Sequence, residues 1–268
     1  MLFGKNTTPH GSESDFSDLN GQGTHAAGTI AGNGTGIFSV APKARLAIYR
    51  VSTLSANPNQ TTASNEHIIV AINDCIEHNK EDHIRIIIMS FGSHDNDDAL
   101  HKAIQEAVKN EILVICAAGN EGDSRSGGDS SANRNEYSYP ASYPKVISVA
   151  AVTLDCTFVS FSNTNLDNDL AAPGSGILST YPKDKDNGDG IKDGYATFSG
   201  TAKAAPYVSG VAELIIKQCE TDFGRTLTEA KIYAQLIKRT VSLGFDRRIE
   251  GNSLLDLTEG YKTFPNKN

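Results

Sequence analysis

The chain has 268 residues, and its 24 lysine and arginine side chains against 32 aspartate and glutamate side chains give a formal net charge of −8. This balance argues against binding to a nucleic-acid backbone, which needs clustered lysine and arginine. No apolar run approaches the length that spans a bilayer, and the apolar start at Met1 is too short for the core of a signal peptide. We therefore expect no nucleic acid and no membrane as a partner, and the sequence leaves the localisation open.

Apolar runs alternate with helical patterns along the chain, which indicates βαβ units and a mainly parallel sheet with helices on both faces. The predicted strands are nearly continuously apolar, as expected for strands that are buried on both faces: Arg45 to Val51, Ile84 to Met89, Ile112 to Ala117, Val146 to Val152, and a short Leu170 to Ala172 near the edge. The predicted helices are Ser64 to Asn79, Asp97 to Lys109 and Ala202 to Gln218.

The length suits one large α/β domain, and no linker or internal repeat divides it, so we predict a single domain over residues 1–268. Four cysteines are few for this length, and their spacing gives no disulfide framework. Free, mostly buried thiols are favoured over disulfides at these positions: Cys75, Cys116, Cys156 and Cys219.

Several short motifs follow one another along the chain. They are Gly23 to Thr29 (Gly-Thr-His-Ala-Ala-Gly-Thr), Ser39 to Ala44, Ile88 to Gly92, Ala117 to Gly122 (Ala-Ala-Gly-Asn-Glu-Gly), and Gly200 to Pro206 (Gly-Thr-Ala-Lys-Ala-Ala-Pro). Together these segments resemble the subtilisin-like serine peptidases from about Gly21 to about Gly260. The resemblance implies a three-layer α/β sandwich whose mainly parallel central sheet is flanked by helices.

The residues at the catalytic positions depart from the family pattern. The resemblance places Ala202 at the nucleophilic serine and Gln22 at the histidine that acts as general base, and a glutamine amide cannot take a proton from a hydroxyl near neutral pH. Asn120 falls on the asparagine of the oxyanion hole and keeps its amide. His25 matches the second histidine of the motif, and we interpret it as a structural, hydrogen-bonded residue rather than a displaced base.

The third catalytic position, an aspartate, is not found where the family has it. The resemblance implies an apolar strand ending in Asp-Ser/Thr-Gly ahead of the histidine motif, and residues 1–20 contain neither. Asp15 and Asp18 lie in a polar segment, so we interpret them as loop carboxylates or helix-entry residues. The fold is therefore predicted to lack its aspartate-bearing strand, and a protein partner or homologous chain could supply one.

The resemblance also indicates where an extended peptide would bind. It would add as a strand between two backbone edges, one at Ser90, Phe91 and Gly92 and the other at Thr61, Thr62 and Ala63. The small residues Ala117, Ala118 and Gly119 would line the wall of the main pocket and leave room for a large apolar side chain.

An acidic segment ahead of the nucleophile motif offers oxygen ligands for calcium at Asp184, Asp186, Asp189 and Asp193. Its spacing does not fit the EF-hand pattern, because Gly188 takes a ligand position and no glutamate closes the loop. A solvated, charged insertion is the competing and favoured interpretation. Lys203, beside the nucleophile position, could approach a carboxylate ligand, but we predict a solvated side chain at the rim because lysine is seldom fully buried.

Three functions remain open at this point, one of which is a purely structural subunit beside an active homologue. The favoured hypothesis is a pseudoprotease that has lost hydrolysis and acts by binding peptide or protein, because three changes in one site look like drift after loss of activity. The alternative is a truncated or inactivated form of a subtilisin-like serine endopeptidase. No cofactor is required by any of these hypotheses.

Overall fold

The computed structural model describes residues 1–56, 61–122 and 136–257 of the chain. Its helices are Gln22–Ala31 (α1), Asn65–Asp82 (α2), Asp98–Lys109 (α3), Thr201–Phe223 (α4), Glu229–Ile237 (α5) and Arg247–Glu250 (α6). Its strands are Gly4–Asn6 (β1), Ile48–Arg50 (β2), Ser52–Leu54 (β3), Thr61–Ala63 (β4), Ile86–Met89 (β5), Leu113–Ala117 (β6), Val146–Val152 (β7), Asn168–Pro173 (β8), Ile177–Thr180 (β9), Tyr195–Phe198 (β10), Thr240–Val241 (β11) and Leu254–Leu255 (β12).

The central sheet has the strand order β11-β12-β8-β7-β6-β5, and every pair from β12 to β5 is parallel. All residues of β6 and β7 are buried, which explains why both strands are apolar without alternation. Successive side chains of a strand point to opposite faces, so Ile115 packs against α4 on one face while Cys116 packs against α2 and α3 on the other. This arrangement confirms the predicted three-layer sandwich.

Most predicted elements are confirmed, with shifts at their ends. The strand Val146–Val152 has the predicted bounds, whereas α4 extends five residues beyond the predicted Gln218, to Phe223. The strand predicted at Leu170–Ala172 near the edge is longer, at six residues, and lies inside the sheet between β12 and β7. The short hairpins β3-β4 and β9-β10 were not predicted, because each strand is three or four residues long and only partly buried.

The cysteines agree with the prediction of free thiols. All four are free, Cys75 and Cys116 are buried, and Cys156 is exposed. None of the helices in the described ranges is both long and apolar enough to cross a membrane.

The strands near the chain start form a separate small sheet. The strand Gly4–Asn6, which lies ahead of the histidine motif and pairs in parallel with Ile48–Arg50, was not predicted from the sequence. The strand was missed because it is only three residues long and carries Lys5 and Asn6 instead of apolar side chains. It does not carry the Asp-Ser/Thr-Gly turn of the family.

Strands β2 and β5 contribute side chains to the same core, yet no ladder joins them in the described parts of the chain. Tyr49 of β2 and Ile87 of β5 both belong to the cluster that packs around α2. Among the strands of the described residues, β2 pairs only with β1 and β5 pairs only with β6. The other side of β2 and of β5 therefore has no partner strand in the described ranges, and unpaired backbone groups cost about 1 to 3 kcal/mol each when they are buried.

We expect the chain to gain stability from an added strand. A synthetic apolar peptide ending in Asp-Ser-Gly, present at about 100 times its dissociation constant, should stabilise the fold by about 2.7 kcal/mol through mass action. Thermal unfolding with and without the peptide measures this, and the same peptide with a central proline is the control, because proline cannot donate to a ladder. An unfolding temperature that does not respond to the peptide would show that the sheet needs no further strand.

Candidate functional site

The start of helix α4 carries Ala202, the residue at the nucleophile position. The helix begins after Gly200, whose φ of 145° lies in a region that favours glycine. Glycine has no side chain that could cap the helix. The Asn120 side chain provides the cap instead: its Oδ1 accepts from the Thr201 N–H at 2.8 Å and from the Thr201 hydroxyl at 3.1 Å. The Thr201 hydroxyl in turn accepts from the Gly119 N–H at 3.1 Å.

These bonds fix the orientation of the Asn120 amide. Because its oxygen accepts from Thr201, its nitrogen is the end of the amide that remains for a ligand. The backbone N–H of Ala202 lies in the first turn of α4, where N–H groups have no partner within the helix. Two donors are therefore available at this helix end, as an oxyanion site requires, although the assignment of that role stays a prediction.

Asp18 holds the start of helix α1, which carries Gln22. Its Oδ1 accepts from the Gly21 N–H at 2.8 Å, and its Oδ2 accepts from the Thr24 N–H and hydroxyl, both at 2.7 Å. Asp18 is thus a helix-entry residue, as predicted. Asp15 forms an ion pair with Arg50 at 3.2 Å, so neither carboxylate occupies a catalytic position.

The prediction for Lys203 was wrong, because its side chain is buried with 2% of its surface exposed. The ammonium donates to Oε1 of Gln22 and lies 5.3 Å from the centre of the Phe198 ring. Side-chain contacts across 181 positions of the chain decide this burial, and the residue type gives no sign of them. Gln22 and Lys203, which the sequence resemblance aligns with a catalytic position and its neighbour, are bonded to each other.

Burial changes the protonation of the two basic groups at this site. It lowers the pKa of Lys203 to about 8, an effect that the Asp18 carboxylate offsets in part. Burial and the Lys203 charge lower the pKa of His25 to about 4, so its imidazole is neutral at pH 7.

His25 is a structural residue, as predicted. It is fully buried, and its Nε2 lies 3.0 Å from the Ile177 carbonyl oxygen, which can only accept, so Nε2 carries the proton. The ring packs at 5.3 Å from Phe198.

The segments predicted to bind peptide differ in exposure. Phe91 and Gly92 follow strand β5 and are exposed, and Thr62 and Ala63 lie on the exposed strand β4. Strand β4 pairs with β3 on one side, and Thr61 accepts a hydrogen bond from the Asn20 side chain at 2.8 Å, which ties it to the entry of α1. Ser90 is partly buried, and its hydroxyl has no hydrogen-bond partner in the described residues.

The predicted pocket wall is mostly covered. Ala117 and Ala118 are buried at 4% and 1% exposure, and only Gly119 reaches the surface. Gly119 has a φ of 107°, and a Cβ there would lie 2.2 Å from the Asn163 amide nitrogen, so the position needs glycine. Substrate binding by these segments stays a prediction.

The acidic segment uses its carboxylates to hold its own backbone. Asp186 accepts from the N–H groups of Gly188 and Gly190, and Asp193 accepts from that of Tyr195. Within the described ranges, no three His, Cys, Asp or Glu side chains gather as a metal site. Calcium binding by Asp184, Asp186, Asp189 and Asp193 stays a prediction without support from this geometry.

Two residues of this site were not predicted from the sequence. Thr201 orients Asn120, and Phe198 receives the Lys203 ammonium on its ring. Thr201 could have been found, because it directly precedes the nucleophile position in a motif that was recognised. The contact of Phe198 with Lys203 depends on the β9-β10 hairpin, which the sequence did not predict.

The buried parallel sheet between two layers of helices, with the Asn120 amide directed at the start of α4, defines an α/β sandwich with hydrogen-bond donors at a helix end. The chain belongs to the subtilase family, whose family model matches residues 2–261. It is 44% identical over 262 residues to an "Intracellular serine protease" of Paenibacillus polymyxa, a match that covers 96% of this chain and 73% of that relative. It is 42% identical over 262 residues to the "Major intracellular serine protease" of Bacillus subtilis strain 168 (96% and 75%), and 32% identical over 247 residues to "Subtilisin DY" of Bacillus licheniformis (91% and 79%).

We expect Lys203→Met to stabilise the protein below pH 8. The pKa of Lys203 is lower in the folded protein, about 8, than the ordinary 10.5. The unfolded chain therefore binds more protons between these values, so stability increases with pH from 8 to 10.5 and the full cost applies below 8. A shift of this size corresponds to about 3 kcal/mol.

Urea unfolding of the parent and the variant from pH 6 to 10.5 checks this expectation. The gain of Lys203→Met should be largest at pH 6 to 8 and should disappear towards pH 10.5. Lys217→Met, on the exposed side of the same helix, is the matched control and should show no such trend. A gain that stays constant with pH would contradict a buried ammonium as its cause.

Proposed function

We propose that the chain is an inactivated form of a subtilisin-like serine endopeptidase, in which a peptide-binding surface is kept and bond cleavage is lost. The observation that carries the proposal is the assembled helix end at Asn120 and Thr201 beside a residue, Ala202, that has no hydroxyl. Donors placed to stabilise charge on a carbonyl oxygen remain, but no side chain there can attack it.

The neighbouring position supports the same proposal. Gln22 stands where the family has its general base, and its amide oxygen accepts from the Lys203 ammonium. A glutamine bonded to a cation cannot accept the proton of a nucleophile. The serine proteases among the relatives support the endopeptidase origin of the scaffold, and they give no support to the separate regulatory role that the sequence favoured.

An activated fluorophosphonate should form no adduct at Ala202, because the reagent needs a nucleophilic oxygen at that position. Intact-mass spectrometry after incubation measures this, and an active subtilisin treated in parallel is the control. A stoichiometric adduct on the chain would contradict the proposal, because it would show that an activated oxygen nucleophile is present. The single variant Ala202→Ser should also stay inactive towards peptide bonds, since Gln22 cannot activate the new hydroxyl.

Combined reversion should restore a small activity. In subtilisin, itself a member of this family, loss of the serine or histidine lowers kcat about 2 × 10⁶-fold and loss of the aspartate alone about 3 × 10⁴-fold. A variant with Gln22→His, Ala202→Ser and Lys203→Met should therefore hydrolyse a peptide anilide on the order of 10²-fold faster than the parent. Lys203→Met is included because the ammonium would otherwise lie against the new histidine and lower its basicity. Activity no higher than that of the parent would count against an endopeptidase scaffold.

The peptide-binding surface can be tested through the ligand. Peptides selected from a library should be extended and should lose binding when alternate backbone nitrogens are methylated, because each methyl group removes a donor to a strand edge. Gly92 is unsuitable for a test by substitution, since a Cβ there would lie 2.3 Å from the Ser138 hydroxyl oxygen. Phe91→Glu is the better variant and should weaken binding of apolar peptides by about tenfold, the ratio that corresponds to 1.4 kcal/mol.

Phe223→Glu is the matched control for the charge. Phe223 is also exposed, and it lies at the last residue of α4, about 33 Å along the helix from its first turn. Calorimetric titration of each variant with a selected peptide measures the difference. Equal weakening by both substitutions, or equal binding of all the methylated peptides, would place the binding surface elsewhere.

A further inference from the structure

The Lys203 ammonium is a buried positive charge without a carboxylate partner in the described parts of the chain. It has three N–H donors, and the acceptor found for it is the neutral amide oxygen of Gln22. The ion pairs of the described residues do not include it. Asp18 is the carboxylate that acts on it electrostatically, but both Asp18 oxygens already accept from the start of α1.

The other groups at the start of α4 would also stabilise a negatively charged ligand. The first turn of α4 has no acidic side chain, and the end of the helix carries partial positive charge. The Asn120 amide nitrogen and the Ala202 N–H are donors at the same helix end. A lysine in the first turn of a helix is opposed by the helix dipole, so burial and the dipole both disfavour Lys203 unless an anion binds beside it.

Gln22 is placed so that an anion could replace it. The residue is exposed, whereas the ammonium beneath it is buried, so its side chain can turn into solvent and uncover the charge. A carboxylate oxygen is a stronger acceptor for an ammonium than an amide oxygen, because both partners then carry charge. We therefore expect a carboxylate oxygen of a ligand to bind where the Gln22 Oε1 atom now accepts from the ammonium.

We infer that the start of α4 binds the C-terminal carboxylate of a peptide, through the Lys203 ammonium on one oxygen and the Asn120 amide with the Ala202 N–H on the other. The inference rests on the proposed function, because the peptide would lie on the surface proposed there. It names the class of ligand: peptides that end at Ala202, as a cleaved product does, in preference to peptides that continue past it.

The test compares peptides that differ in the charge of the chain end. The probes are N-acetyl-Ala-Ala-Ala-Leu as the free acid, the same peptide as the carboxamide, and N-acetyl-Ala-Ala-Ala-Glu carboxamide, whose carboxylate is on a side chain. Chemical-shift titration at pH 7 gives each dissociation constant. We expect the acid to bind at least tenfold more tightly than either carboxamide.

Two variants assign the preference to this site. Lys203→Met should reduce the ratio between acid and carboxamide to less than twofold, while Lys217→Met keeps the parent ratio. Gln22→Ala removes the resting acceptor of the ammonium, keeps the charge and should increase the ratio. A ratio that survives in Lys203→Met, or falls in Gln22→Ala, would overturn the inference.

The remaining outcomes separate this inference from the proposed function. If the acid and the carboxamide bind equally well, the carboxylate site is wrong and the peptide surface stands. If the glutamate peptide or acetate alone binds as tightly as the acid, the site is not specific for a peptide end, and the inference also fails. If no probe binds, both the inference and the proposed peptide surface fail.

Discussion

The hydrogen bonds between Asn120 and Thr201 join the two parts of the molecule on which the site depends. Asn120 follows the buried strand β6, and Thr201 begins the longest helix, which packs on the same sheet. In a sheet of parallel strands, the carboxyl ends of neighbouring strands open at one edge, and that edge is where ligands bind. The asparagine amide fixes the helix start against this edge and satisfies an N–H that would otherwise lack a partner.

Gln22 and Lys203, which the sequence resemblance aligns with two positions of the catalytic motifs, are coupled through this geometry, because the Lys203 ammonium donates to the Gln22 side chain. The neutral glutamine amide can accept a hydrogen bond from the Lys203 ammonium. A protonated histidine at the same place would repel the ammonium, because both groups would be positively charged. The start of α4 therefore holds a buried positive charge whose bonded partner is a neutral amide.

That positive charge has a cost in stability. An ammonium that is buried beside an aromatic ring and a neutral amide recovers only part of its hydration energy. Proteins commonly keep such destabilising groups where they contact a ligand, since the ligand then supplies the missing interaction. The same reasoning does not apply to His25, which is neutral at pH 7 and hydrogen-bonded to a backbone carbonyl oxygen.

The sequence alone determined the fold class, the main strands and helices, and the family. Strands that are buried on both faces must be apolar throughout, and helices that cover them must show a helical period, so both leave a direct record in the residue order. The sequence also showed that Ala202 lacks a hydroxyl, because this is a property of the residue itself. The structural role of His25 followed from its position in a recognised motif.

Only the tertiary structure decided the burial of Lys203, the helix-capping role of Asp18, and the presence of the polar strand Gly4–Asn6. Each of these depends on atoms that come from distant parts of the chain or from elements too short to leave a periodic pattern. A lysine is exposed in most proteins, and what buries this one is a glutamine 181 positions away together with the ring of Phe198. Residue type sets what a side chain can do, and its neighbours in the fold decide which of those possibilities is realised.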